Sequence, residues 1–170
     1  RILCYDIRDL GKQLLPVGML VVLDSIFNRI IRNRRLGRST WVYIDEIYLL
    51  FQHEYSANFL FTLWKRVRKY GACCTGLTQN VDDLLQSHTA RTMLANSEFL
   101  VMLNQASTDR AELARLLNIS DNQLSYITNV DFGRGLIKCG SAIVPFMDHF
   151  PKNNLYRLMS TKPSEADAAV

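Results

Sequence analysis

Apolar positions along the chain recur with two periods, and the switches between them predict the elements. Ile2 to Ile7 is a short apolar run that predicts a strand. From Leu14 to Arg35 the apolar residues fall at Met19, Leu20, Leu23, Phe27, Ile30 and Ile31, the three-and-four spacing of a one-sided helix. That helix closes on Arg32-Asn33-Arg34-Arg35-Leu36-Gly37, with cations over the last turn and a glycine past it. Trp41-Val42-Tyr43-Ile44 is a β-rich run cut off by Asp45-Glu46. A helix follows, with Ser56 as its expected cap, Phe59, Leu60, Leu63, Trp64 and Val67 on one face, and Gly71 as its stop. Strands are predicted at Ala72 to Thr78 and Glu98 to Leu103, with short helical pieces between them. Ser107 to Leu117 reads as a helix, and Ser120-Asp121-Asn122-Gln123 as a capping box opening another, to about Thr128. Gly135 to Cys139 and Ala142 to Phe146, around Gly140-Ser141, predict a hairpin. Beyond Pro151 the periodicity fades, and Ser164 to Val170 is expected to fray.

Strands alternating with helices are the grammar of an α/β fold, a mostly parallel sheet flanked by helices. In such sheets chemistry gathers at the carboxyl ends of the strands. The composition agrees: 48% hydrophobic and 21% charged residues exclude a disordered chain or a coiled coil. With 20 Lys plus Arg against 16 Asp plus Glu, the net charge of +4 allows an anionic partner without requiring one. The most apolar stretch, Leu14 to Ile31, contains Pro16, Asp24, Asn28 and Arg29, so no membrane span is expected. Nor does the start read as a signal peptide, and the missing initiator Met fits a fragment or a processed chain. Cys4, Cys73, Cys74 and Cys139 have no zinc spacing and are expected as reduced core residues. His53, His88 and His149 share no metal-like spacing.

Two predicted strands end in polar residues that carry chemistry. Four apolar residues followed by two acids is the shape of a Walker B segment: a strand buried on both faces, an acid to hold Mg²⁺ through its water shell, and a second acid to deprotonate an attacking water. Two acids also end ordinary strands, for solubility or to cap the next helix. Gln79 stands at the matching end of the next strand, where an amide offers both a donor and an acceptor to a γ-phosphate and its attacking water; a turn or cap before Val81 is the plainer use. Trp64-Lys65-Arg66-Val67-Arg68-Lys69 puts four cations on one helix. Lys65 and Lys69 face away from the apolar stripe, whereas Arg68 lies at its edge, where it can serve as an arginine finger. Surface charge is the competing role. No Gly-x-x-x-x-Gly-Lys occurs, so phosphate binding cannot be argued from these residues alone.

The linked order of Tyr5-Asp6-Ile7-Arg8-Asp9-Leu10-Gly11, Trp41-Val42-Tyr43-Ile44-Asp45-Glu46, Leu63 to Gly71, Thr75-Gly76-Leu77-Thr78-Gln79-Asn80-Val81 and Gly133-Arg134-Gly135-Leu136-Ile137 resembles the ATPases that energise type IV secretion. These are the VirB-four, TraC and TraE-like proteins of conjugation, a branch of the HerA/FtsK group of RecA-like motors. The resemblance covers about residues 1–150, leaving 151–170 as a tail, and implies a RecA-like P-loop NTPase core with a terminal hairpin. It implies a Mg²⁺-dependent ATPase with Asp45 on the metal, Glu46 as catalytic base and Gln79 as γ-phosphate sensor. Arg68 would be the finger acting on a neighbouring subunit, with Arg66 the alternative, and Arg134 would lie near the nucleotide. The departure is the missing Walker A loop, which in this family lies upstream, so the piece alone is expected to be inactive. The implied setting is a homohexamer at the cytoplasmic face of the cell membrane, among other secretion-system subunits. A DNA-pumping translocase or coupling protein, and a non-catalytic scaffold with the motor fold, are the alternatives. The Arg32 to Arg38 cluster raises nucleic acid as a partner, but basic residues at a helix end serve the dipole and no aromatics interleave them for stacking.

Overall fold

A computed structural model describes residues 2–7, 9–11, 13–79 and 81–159 of the 170, and only the backbone of 107–109. The chain forms two compact units, Arg1–Ser97 and Glu98–Val170. The expected fraying of Ser164 to Val170 lies outside the described residues, as do Arg8 and Asn80 of the motifs.

In the first unit, helix α1 (Leu15–Arg35) has Pro16 in its first turn, where a missing N–H costs nothing, and buries Met19, Leu23 and Ile30. Arg32, Arg34 and Arg35 occupy its last turn, and Gly37 turns the chain at φ +67. Asn33 then donates a side-chain hydrogen bond to Thr40 Oγ1 at 2.9 Å, tying the helix end to the start of β1 (Thr40–Ile44). A 3-10 segment, Ile47–Phe51, leads into α2 (Glu54–Arg66), and a second, Val67–Tyr70, leads to Gly71 at φ +63 and β2 (Ala72–Gly76). Helices α3 (Val81–Gln86) and α4 (His88–Ala95) complete the unit. Strands β1 and β2 pair in parallel, from Thr40 opposite Ala72 to Ile44 opposite Gly76. Leu23, Ile30, Val42, Leu60, Leu63, Val67 and Met93 belong to one core, with Phe27 edge-on to Tyr70 at 5.5 Å and to Phe59 at 6.4 Å.

Several expectations are corrected here. Residues 2–7 form no strand, because a strand exists only through a neighbour's ladder and none of the described strands pairs with them. Strand β1 is buried on one face rather than two: Val42 is in the core, while Trp41 and Tyr43 stand 65% and 67% exposed. Ser56 is not a cap. Helix α2 begins two residues earlier, and buried Ser56 Oγ donates to the Leu50 carbonyl at 2.6 Å, with the His53 carbonyl at 3.0 Å. Replacing Ser56 with Ala leaves the Leu50 carbonyl without that donor in a dry site, and should destabilise the protein by about 1–2 kcal/mol. Urea unfolding checks this, and an unchanged midpoint would refute it. The cysteines are free but not core: Cys4, Cys73 and Cys139 are exposed. Only Cys74 is half-buried, and burial pushes its thiol up to about 12, with Cys73 adding to the rise.

In the second unit, β3 (Phe99–Met102) pairs antiparallel with β4 (Arg134–Cys139), and β4 with β5 (Ala142–Met147). Thus β3 has its ladder with the hairpin, and the parallel pairing is that of β1 with β2. Gly140, at φ +56, and Ser141 make the expected two-residue hairpin loop. Helix α5 (Ser107–Leu117) ends on Asn118 in the left-handed region, and the reciprocal capping box of Ser120 and Gln123 opens α6 (Asp121–Leu124). Met102, Leu113, Leu117, Ile127 and Leu136 are buried. A helix, α7 (Asn154–Met159), forms where the fading periodicity predicted none, its short Leu-Tyr-Arg-Leu-Met run being too brief to show a period. No helix among the described residues is long and apolar enough to cross a membrane.

Candidate active site

Parallel pairing of β1 with β2 brings their carboxyl ends side by side, and with them the two polar strand ends. The ladder continues one step past the strands: Leu77 N–H donates to the Ile44 carbonyl and Ile47 N–H to the Leu77 carbonyl, each at 2.9 Å. Asp45 and Glu46 therefore form a two-residue excursion fastened at both ends to Leu77, two residues before Gln79.

Inside this excursion the backbone is bent into a conformation that side chains resist. Glu46 has φ 47 and ψ 48, the left-handed region, which costs a residue other than glycine about 1–2 kcal/mol. The turn is supported by Asp45 Oδ1, which accepts the Glu46 N–H at 3.0 Å. Asp45 itself is exposed, so its carboxylate can reach a hydrated cation. Glu46 is different. Its Oε2 is buried, and no protein group among the described residues hydrogen-bonds it. A buried oxygen without a partner is expensive, and the strained backbone adds to the cost at the same residue.

The remaining candidates fall elsewhere. Gln79 is exposed just beyond the end of β2, and Thr78 beside it is half-buried. Arg66 ends α2, and Arg68 lies in the 3-10 turn before Gly71; both are exposed. That turn is at the amino end of β2, whereas Asp45, Glu46 and Gln79 are at the carboxyl end. Five strand residues, about 16 Å, intervene. The structure thus separates Arg68 from the acids of its own chain. Arg134 belongs to the second unit, where it starts β4 and pairs with Asp131 at 3.6 Å. Its flanking glycines are required by space: a Cβ on Gly133, at φ +81, would strike the Asp148 carbonyl, and one on Gly135 the Met102 carbonyl. Among the described residues no His, Cys, Asp and Glu group of three or more is arranged to hold a metal directly.

The fastening is built by Gly76 and Leu77, which the motif contains without a role of their own, and by Ile47, which no motif marks. A glycine inside a strand, one step before the polar end, is the signal that marks such a close approach.

The family model of the TraG P-loop domain matches residues 3–134, a span that crosses both units. The chain belongs to the TraG P-loop family. Among solved structures it is similar to VirB4 of Thermoanaerobacter pseudethanolicus, with 25% identity and a TM-score of 0.74 over 85% of this chain. The chain spans 40% of the length of that protein. No curated protein matches it. The resemblance drawn from the motifs, to the ATPases of type IV secretion and conjugation, holds, and with it the P-loop NTPase fold for this TraG-type chain.

Proposed function

We propose that this TraG-family chain is the downstream part of an ATP-hydrolysing motor subunit that energises type IV secretion or conjugative transfer. The observation that carries the proposal is Glu46, strained in backbone and with its Oε2 buried and unpartnered among the described residues, at a strand end fastened beside that of Gln79. The donor set fits a magnesium nucleotide on the metal and water side: an exposed carboxylate, a half-buried carboxylate and a neighbouring amide. The phosphate cradle is contributed by a Walker A loop outside these 170 residues.

Bound Mg²⁺ and ATP supply an electrophilic γ-phosphoryl group whose charge the metal spreads. Asp45 would hold the cation, its carboxylate being exposed. Glu46 would accept the proton of the attacking water at Oε2, which no protein group among the described residues occupies. The Gln79 amide donates to a γ-phosphate oxygen and accepts from the same water. Arg68, with Arg66 as its alternate, reaches a site on the next subunit of a homohexamer. Arg134 is placed near the nucleotide by the family resemblance alone. The homohexamer sits at the cytoplasmic face of the cell membrane with other secretion subunits.

Steady-state ATP hydrolysis by the full-length protein, beside the 170-residue chain, tests the proposal. Turnover is expected in the full-length protein with Mg²⁺ and in neither sample without it. Silence in both, under conditions where the full-length protein assembles, would favour a scaffold that keeps the motor fold.

A further inference from the structure

Resting on that reading of Glu46, we propose that Gly76 and Ile47 act as a positioning pair that sets the angle of the Glu46 carboxylate and couples it to Gln79. The pair lies at the fastening. Ile47 is buried and follows Glu46 directly, and its side chain occupies the space above the Gly76 α-carbon. A Cβ at position 76 would lie 2.5 Å from Ile47 Cδ1, 3.3 Å from Cγ2 and 3.4 Å from Cβ. The first distance is far inside contact and the second is tight, so a side chain there moves Ile47. Ile47 is not free to move alone: its N–H is bonded to the Leu77 carbonyl, and Leu77 N–H to Ile44 on the far side of the acids. Cδ1 ends a side chain that can rotate, but Ile47 is buried in the core and its Cγ2 and Cβ are also close, so the part of the displacement that rotation does not clear passes to the peptide joining it to Glu46, already in the left-handed region. Leu77 leads in two residues to Gln79, so both arms of the site leave from one fastening. Gly76 lacks a side chain so that Ile47 can seat, and Ile47 seats so that Glu46 keeps its turn.

The test uses the full-length protein and reads kcat and the binding of a fluorescent ATP analogue in parallel, with Glu46→Gln in the same assay. Gly76→Ala should lower kcat by about tenfold or more, the scale of a small misplacement of a reacting group, while nucleotide affinity stays within about twofold. Adding Ile47→Val, which removes Cδ1 and with it the 2.5 Å encounter, should return most of the lost kcat. An unchanged kcat in Gly76→Ala would overturn the proposal. So would a double variant that folds but turns over no faster, or a parallel loss of affinity and kcat, which indicates simple destabilisation. If Gly76→Ala does not fold, Ile47→Ala, which empties the seat instead of overfilling it, should lower kcat with affinity kept, and a normal kcat there overturns the pairing. Full turnover by Glu46→Gln would remove the functional reading and this inference with it. Loss in Glu46→Gln beside normal Gly76→Ala removes this inference alone.

Discussion

Glu46→Gln in the full-length protein is expected to lower ATP turnover by about 10²–10⁴-fold while leaving nucleotide binding intact. The substitution keeps the shape of the side chain and the turn supported by Asp45 Oδ1, and removes only the capacity to take a proton. Its effect on stability should run the other way. A carboxylate oxygen buried with no partner among the described residues is a cost in the folded state, and a neutral amide lowers the cost of desolvation. The thermal midpoint should therefore stay level or rise as turnover collapses. That opposition separates a catalytic carboxylate from a structural one, whose loss would lower both. Turnover near the parent value would sink the assignment of Glu46 as the base.

Local signals made much of the fold legible. Helix α1 was set by its spacing, its terminal cations and its glycine, α5 by its periodicity, α6 by a capping box, and β4–β5 by a two-residue glycine loop. Each is decided within a few residues of itself. Partnership was harder to read. Ile2 to Ile7 is strand-like in composition but has no ladder among the described residues, and β3, placed by its apolar run, pairs with β4 some thirty residues on. Ser56 misled because a hydroxyl that donates to a carbonyl and one that accepts from an amide look alike in sequence. Cysteine exposure depended on which sheet faces are covered, which strand composition does not reveal. At the candidate site, the strand-end acids and Gln79 were legible because parallel strands align their carboxyl ends. The fastening at Leu77 and the strain at Glu46 were not, because backbone bonds leave no mark on residue type. Only Gly76 hinted at them.

Arg68→Ala carries the second large expectation: a loss of turnover of about 10³-fold or more, seen only in assembled oligomers. The reason is the position of Arg68 on the strand. From the turn before Gly71 its guanidinium cannot reach the carboxyl end of its own β2, a strand's length of about 16 Å away. An exposed cation at the amino end can, however, meet the site of a neighbour in a ring, where heterologous contacts repeat head to tail. Mixing supplies the decisive measurement. Arg68→Ala subunits keep Glu46, and Glu46→Gln subunits keep the finger, so neither species alone has a complete site. In a random equimolar ring, about one interface in four joins an intact base to an intact finger, and activity should reappear. Absence of rescue at matched assembly would count against a finger acting between subunits. Rescue by Arg66→Ala mixtures, with Arg68→Ala active by itself, would move the role two residues back, to the end of α2. Arg68→Lys should rescue poorly in either case, because a single ammonium lacks the planar fork that spans two phosphoryl oxygens.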